Sequence, residues 1–158
     1  MNFQKILLLL VSHIIIGLIG VFIGIYSLPI LTAPDAPNEH KIQRISLNAS
    51  YTTEFKRNLK DSDIFHWGEG TVSIGESYVT LMGNLAPGPD YKLYLSPKFI
   101  ETEAQFEQFQ HSMIQLGDVN TFNNFVVEIA PDTPLEEFNT IVVWCESFGE
   151  FITSAKYR

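Results

Sequence analysis

The chain opens with a long apolar run that has the pattern of a membrane-spanning helix. Between Ile6 and Leu28 the polar side chains are few, and they are those of Ser12, His13, Tyr26 and Ser27. A helix over residues 6–28, with a rise of about 1.5 Å per residue, reaches roughly 34 Å, which is enough to cross a hydrocarbon core of about 30 Å. We therefore predict a membrane anchor in residues 1–31, with residues 6–28 in the bilayer.

A cleaved signal peptide is the alternative interpretation of this segment, because Lys5 precedes the apolar run. The run is longer than the roughly 7–15 residues of a signal-peptide core, and no Ala-x-Ala-like cleavage site follows it. The pattern therefore favours an uncleaved anchor. A very short N-terminal tail ahead of such a segment usually stays inside the cell, which predicts that the C-terminal region is extracytoplasmic, either periplasmic or extracellular.

After the anchor the pattern changes to short strands. Residues 32–49 form a predicted spacer that leads into the domain, because Pro34 and Pro37 stop a helix and favour extended chain. Runs of β-branched and aromatic residues, separated by turn-forming residues, follow at 71–74, 78–81, 91–95, 125–129 and 140–144. No part of this region alternates strands with long helices. The pattern predicts a mainly β domain over residues 50–158, built as an antiparallel β-sandwich or flattened barrel.

One segment within this region has helical periodicity. Apolar side chains recur at helical spacing at Phe99, Phe106, Phe109 and Met113. Thr102 and Gln105 occupy the positions of a capping box at the start of the predicted helix. We expect one short helix near residues 103–115, laid across one end of the sandwich, with its aromatic side chains in the core.

Composition and charge exclude several classes of function. The chain has 158 residues, with 18 acidic and 10 basic side chains, a net charge of -8 and one cysteine. A nucleic-acid-binding protein needs clustered Lys and Arg, so that class is excluded. A single cysteine cannot form an intrachain disulfide, a four-thiolate metal site or a paired-thiol redox motif. The sequence also lacks the common hydrolase and phosphate-binding motifs, which favours a carrier or binding module over a turnover enzyme.

The last third of the chain carries a combination of motifs that points to a family. The blocks are Leu116-Gly117-Asp118, then Asn139 through Val143-Trp144-Cys145 to Phe148, together with the upstream Gly88-Pro89-Asp90 and with His66 ahead of Gly70. In this combination the chain resembles the electron-transfer DM-thirteen domain, also found in Skeletor-like proteins, over roughly residues 50–158. It departs from that pattern at 121–125, where the family often has a Gly-x-Gln-x-Tyr-like stretch.

The resemblance implies a β-sandwich redox module in which one cysteine acts as a bare thiol or as a ligand to a prosthetic group such as haem. Cys145 is the matching position, and His66 is the best candidate for a second ligand or a base. The chain has no Cys-x-x-Cys-His attachment motif, so a haem would be held without a covalent bond. A redox or cell-envelope partner is implied as well, of a kind that the sequence does not specify.

The residues around Cys145 also support a different interpretation. Residues 141–145 are apolar at every position, so both faces of this strand are expected to be buried. A buried free cysteine behaves as a small hydrophobic residue with a raised pKa, and the adjacent Glu146 would disfavour the thiolate further. In this alternative the domain is a non-catalytic interaction or binding module of the cell envelope, with Cys145 in its core.

Other side chains that can bind metal ions are poorly placed in the sequence. No partner lies at metal-ligand spacing from His40 or His111. Met82 could supply a thioether ligand, but its position on a strand favours a core role. Asp61, Asp63 and Glu69 resemble a calcium loop only loosely, because the glycine and the fifth ligand of such a loop are missing. We therefore predict no metal site.

Overall fold

The computed structural model describes residues 2–158, and its first element is a long apolar helix, α1 (Phe3–Thr32). The helix is long and apolar enough to cross a membrane, and none of its residues is buried in the protein. It includes the whole predicted span 6–28 and continues past it through Pro29 to Thr32. Pro34 follows the last turn, and a proline next to a helix end disfavours further helix.

Two antiparallel four-stranded sheets form most of the remaining chain. The strands are β1 (Ala49–Phe55), β2 (Gly68–Gly75), β3 (Tyr78–Leu85), β4 (Tyr91–Ser96), β5 (Ile114–Val119), β6 (Asn123–Glu128), β7 (Thr140–Cys145) and β8 (Glu150–Lys156). The first sheet has the order β1-β2-β3-β6 and the second has the order β5-β4-β7-β8. All neighbouring strands run antiparallel. The mainly β sandwich predicted from short runs of β-branched and aromatic residues is confirmed.

The main core lies between the two sheets. Val72 and Leu81 from the first sheet meet Leu93 and Val143 from the second, and all four side chains are fully buried. The alternate residues of β7 face outward, where Trp144 belongs to a second apolar cluster. Every residue of β7 is therefore buried, as its uninterrupted apolar sequence predicts.

The second cluster is covered by a helix, α3 (Glu103–Phe109), which is shorter than the predicted segment 103–115. A short 3₁₀ turn follows it, and β5 then begins at Ile114. The helix packs on the outer face of the second sheet, so its predicted place across one end of the sandwich is wrong. The reason is that β7 is apolar on both faces, and the ring of Phe106 stacks on that of outward-facing Trp144 with 3.9 Å between ring centroids.

The predicted cap of α3 is confirmed in part. The Thr102 hydroxyl accepts a hydrogen bond from the Gln105 N–H, as in a capping box. The side-chain oxygen of Gln105 accepts instead from the N–H of Glu101, one residue further back. Both bonds satisfy backbone groups at the start of the helix.

The predicted spacer contains a helix that the sequence pattern did not reveal, α2 (Glu39–Ser46). Asn38 caps it by accepting a hydrogen bond from the Lys41 N–H at 2.9 Å. Only Ile42 is buried, and the helix packs against the first sheet, where Ser46 bonds to Thr80. The helix has only eight residues and directly follows Pro34 and Pro37, which favoured an extended spacer in the sequence.

Candidate functional site

Cys145 is the last residue of β7, and its side chain belongs to the core between the sheets. Its neighbours across the sheet are Tyr91 on β4 and Glu150 on β8. A tight hairpin joins β7 to β8, and its last residue, Gly149, has a φ of +68°, a conformation that favours glycine. The Gly149 N–H bonds to the Cys145 carbonyl at 2.9 Å, which closes the turn. The thiol therefore lies at one end of the sandwich.

The thiol is held by the loop between β3 and β4. Its sulfur donates a hydrogen bond to the carbonyl oxygen of Pro89 at 3.0 Å. Burial raises the pKa of the Cys145 thiol, and the carboxylates of Asp90 and Glu150 act in the same direction. The backbone N–H groups of residues 147–148 offset only part of this effect. The thiol is consequently protonated at neutral pH.

The Gly88-Pro89-Asp90 motif has a clear structural role at this site. A Cβ atom on Gly88 would collide with the ring of Tyr91, so only glycine fits beneath that buried side chain. Asp90 accepts a hydrogen bond from Ser147 and an ion-pair contact from Lys92 at 2.8 Å. The hydrogen bonds that Lys92 donates to Asp118 and Asp90 raise its pKa to about 12. The motif therefore fixes the carbonyl group that holds the thiol.

His66 lies in the loop between β1 and β2, and Asp63 fixes its position. One carboxylate oxygen of Asp63 accepts hydrogen bonds from the N–H groups of Phe65 and His66, at 2.6 and 2.7 Å. The other contacts the Nδ1 atom of His66 at 3.1 Å. Burial alone would raise the pKa of Asp63, but these hydrogen bonds lower it below its usual value. The arrangement leaves the Nε2 atom of His66 for another partner.

Cys145 and His66 line the same cavity, which has a volume of about 290 Å³. The sandwich contributes the rings of Phe65, Tyr91 and Phe148 to its walls, and α1 contributes Phe22, Ile25 and Tyr26. The structure thus brings together the two residues selected from the sequence and adds a wall from the apolar helix.

The contact between α1 and the sandwich is made by aromatic rings. Phe65 meets Phe22 and Tyr26 edge to face, with ring centroids 6.3 and 6.1 Å apart. Such perpendicular pairs are favourable because the positive edge of one ring meets the negative face of the other. This part of the site was not predicted from the sequence. The available signal was the four-residue spacing of Phe22 and Tyr26, which puts two aromatic rings on one face of the helix.

The remaining sequence candidates lie elsewhere. His40 is on α2 and His111 follows α3, both exposed, and Met82 is on β3 with a side chain that is partly exposed. Glu146 accepts a hydrogen bond from the Tyr94 hydroxyl. The carboxylates that raise the pKa of Cys145 are those of Asp90 and Glu150. Among residues 2–158 no cluster of three or more His, Cys, Asp or Glu side chains is placed to hold a metal ion.

The segment that departs from the expected pattern, residues 121–125, packs beside the site. Phe122 meets the ring of Tyr91 edge to face at 5.9 Å between centroids. Thr121 donates a hydrogen bond to the carbonyl of Asn124, which has a φ of +46°. The segment therefore supports Tyr91, the neighbour of Cys145 across the sheet, while it stays outside the cavity wall.

Comparison with known protein families gives one match, to the family described as Electron transfer DM13, over residues 54–157. The matched region contains His66, the Gly88-Pro89-Asp90 motif and Cys145, and it begins after α1 and α2. No curated protein and no solved structure matches the chain.

Proposed function

Because the chain belongs to the electron-transfer DM13 family, we propose that it is a membrane-tethered redox module in which Cys145 is the working group. The observation that carries this proposal is the position of the thiol. Cys145 lies at the end of a strand, where it lines a cavity together with His66. A cysteine with a purely structural role needs no cavity beside it.

The membrane tether in this proposal is α1. Its 30 residues reach about 45 Å, more than the roughly 30 Å of a bilayer core. Its side chains are apolar on all faces, and most are exposed on the protein, which is the pattern of a helix surrounded by lipid. In this proposal the sandwich lies outside the cytoplasm, in a compartment where a lone thiol must be either shielded or used.

The surroundings of Cys145 limit what its thiol can react with. A lone thiol forms a disulfide only with a sulfur atom from another molecule. Cys145 is only 3% exposed and α1 covers the adjoining cavity, so the cysteine of a partner protein cannot reach it without a rearrangement. Small molecules that enter the cavity can reach the sulfur. The proposed redox role therefore involves a small molecule or a prosthetic group.

The haem form of the proposal is supported by the donor types in the cavity. A cysteine that gives up its proton and a histidine imidazole are both haem ligands, and Cys145 and His66 line one cavity. Bound there, haem would supply one-electron redox chemistry. The volume of about 290 Å³ lies at the lower limit for small-molecule sites, so the cavity accommodates a haem only if α1 moves outward.

The second candidate function is a non-catalytic interaction or binding module of the cell envelope. It is supported by the near-complete burial of Cys145 and by its place in the apolar cluster between the sheets. A thiol in such a place contributes packing and one hydrogen bond, and it does not need to react.

An absorption and thiol-reactivity experiment on the full chain in detergent distinguishes the two functions. The redox module predicts visible absorbance, or a Soret band on haem addition, or reversible oxidation of Cys145 by hydrogen peroxide. Each signal should be lost in Cys145→Ser and kept in His111→Ala, which changes an exposed and distant histidine. A colourless protein that ignores haem and has an unreactive thiol would instead establish Cys145 as a core residue.

A further inference from the structure

The cavity beside Cys145 is formed partly by the helix that we assign to the membrane, so its depth relative to the bilayer can be derived. A bilayer core takes about 20 helical residues, and the apolar run from Ile6 to Leu28 supplies slightly more than that. Phe22, Ile25 and Tyr26 are the wall residues, and they lie in the last two turns of that run. The cavity therefore lies where the bilayer surface meets the sandwich.

The lining of the cavity excludes most charged ligands. Its walls contain no lysine or arginine, and Glu150 is the carboxylate among them. An anionic lipid headgroup or a fatty-acid carboxylate would find no cation to pair with, and it would be repelled by Glu150. A permanently charged molecule also partitions poorly into the bilayer beside which the cavity lies. The ligand that fits is neutral.

The shape of the ligand follows from the aromatic walls and the volume. Phe22, Tyr26, Phe65, Tyr91 and Phe148 present rings to the cavity, and aromatic surfaces pack well against flat rings. The volume of about 290 Å³ corresponds to a molecule of one or two rings. Cys145, His66 and Glu150 provide polar atoms that suit carbonyl or hydroxyl groups on such a ring.

From these observations we propose that the cavity between α1 and the sandwich binds a neutral, ring-containing lipophile that enters from the bilayer. Quinones are the class of redox molecule with these properties, so this inference names a ligand for the proposed redox module and rests on its membrane tether. Binding itself requires no electron transfer. The site can therefore be tested separately from the chemistry of Cys145.

The test uses the full chain in lipid nanodiscs with duroquinone as the probe, because all its ring positions are substituted and it cannot add to a thiol. Cys145 is the only cysteine, so the rate of its alkylation by iodoacetamide reports whether the cavity is occupied. We expect saturating duroquinone to slow alkylation by about tenfold or more and to raise the melting temperature. The melting temperature remains a readout if the thiol proves unreactive.

Two variants of α1 make the test specific. Ile25→Trp places a large side chain in the cavity wall, and we expect it to abolish the effect of duroquinone on both readouts. Ile23→Trp places the same side chain at a position of the helix that does not line the cavity, and it should behave like the wild type. Both positions are exposed on the protein, so neither variant overfills the core.

Three results would overturn the proposal. One is a wild-type protein in which duroquinone changes neither the alkylation rate nor the melting temperature. Another is equal protection by dodecanol, which would show that the cavity takes acyl chains without regard to rings. The third is protection by tetramethylammonium alone, which would identify a cation site. If duroquinone binds but Cys145 shows no redox chemistry, the lipophile site stands and the redox function fails.

Discussion

The Sγ atom of Cys145 lies 3.0 Å from the carbonyl oxygen of Pro89 and donates a hydrogen bond to it. The two residues are far apart in the sequence, but the pairing of β4 with β7 sets Tyr91 opposite Cys145 and so brings the preceding loop to the thiol. The two motifs that carry the family resemblance are therefore parts of one structural unit. A substitution in one motif should therefore alter the structure of the other.

Replacing the thiol tests how much the site contributes to stability. We expect Cys145→Ser to lower the free energy of unfolding by about 1–3 kcal/mol, because a buried hydroxyl is less favourable there than a thiol. Denaturant unfolding of both proteins measures this difference. The control is Ser77→Ala, at an exposed position in the turn between β2 and β3. A Cys145→Ser variant as stable as the wild type would contradict the packing described here.

The raised pKa of Cys145 predicts a specific dependence of stability on pH. In the unfolded chain the thiol ionises near pH 8.5, whereas in the folded protein it keeps its proton to higher pH. Above pH 8.5 the unfolded state therefore binds fewer protons, and the wild type should lose stability as the pH rises. Cys145→Ala lacks this loss. Tyrosines with raised pKa values are common to both proteins, so the difference between the two stability curves isolates the thiol.

If the two curves run parallel between pH 7 and 10, burial does not shift the ionisation of Cys145. The thiol would then ionise at the same pH in the folded and the unfolded protein, and the pH dependence of its alkylation rate would match that of a free cysteine. Unfolding in urea at a series of pH values, combined with iodoacetamide kinetics, measures both quantities.

The glycine beneath Tyr91 offers a test of the link between the loop and the thiol. A Cβ atom on Gly88 would overlap the Tyr91 ring, so Gly88→Ala should cost about 1–3 kcal/mol and displace the Pro89 carbonyl. The thiol of the variant should then react faster with iodoacetamide. Gly24→Ala is the matched control, because a Cβ atom there meets nothing within 4 Å. Unchanged thiol reactivity in Gly88→Ala would mean that the loop does not hold Cys145.

The stacked pair on the outer face of the second sheet should matter for stability and leave the cavity intact. Phe106 is fully buried against Trp144, so Phe106→Ala should cost about 3–5 kcal/mol. Thermal and denaturant unfolding measure the loss, and the near-ultraviolet circular dichroism of Trp144 should change. Phe109→Ala, at a partly buried position of the same helix, should cost clearly less. Equal costs would mean that the stacking adds little.

The sequence predicted the five strands in which apolar residues dominate, and it missed β1, β5 and β8. β8 contains Thr153 and Ser154, both buried, and the Ser154 hydroxyl donates a hydrogen bond to the Ile100 carbonyl. Such burial depends on a partner far away in the chain. β1 was not predicted because it is an edge strand whose less exposed residues are still only half buried. In neither β1 nor β8 is the local pattern of apolar and polar residues sufficient to predict a strand.

Only the reactive residues of the site could be predicted from the sequence. Cys145 was found because it is the only cysteine and because it matches the family position, and His66 was found because it precedes a strand among aromatic residues. The cavity could not be found in this way, because it exists only where α1 meets the sandwich. Phe22 and Tyr26 looked like ordinary residues of a membrane span.

The continuity of α1 has a consequence for how this protein meets other molecules. The helix runs without a break from Phe3 to Thr32, and its upper turns contact the sandwich through Phe65. If α1 spans a bilayer, as proposed, these contacts hold the sandwich close to the membrane surface, in contrast to a domain on a flexible linker. The cavity then stays beside the lipid, and a lipophile dissolved in the bilayer reaches it by lateral diffusion in two dimensions.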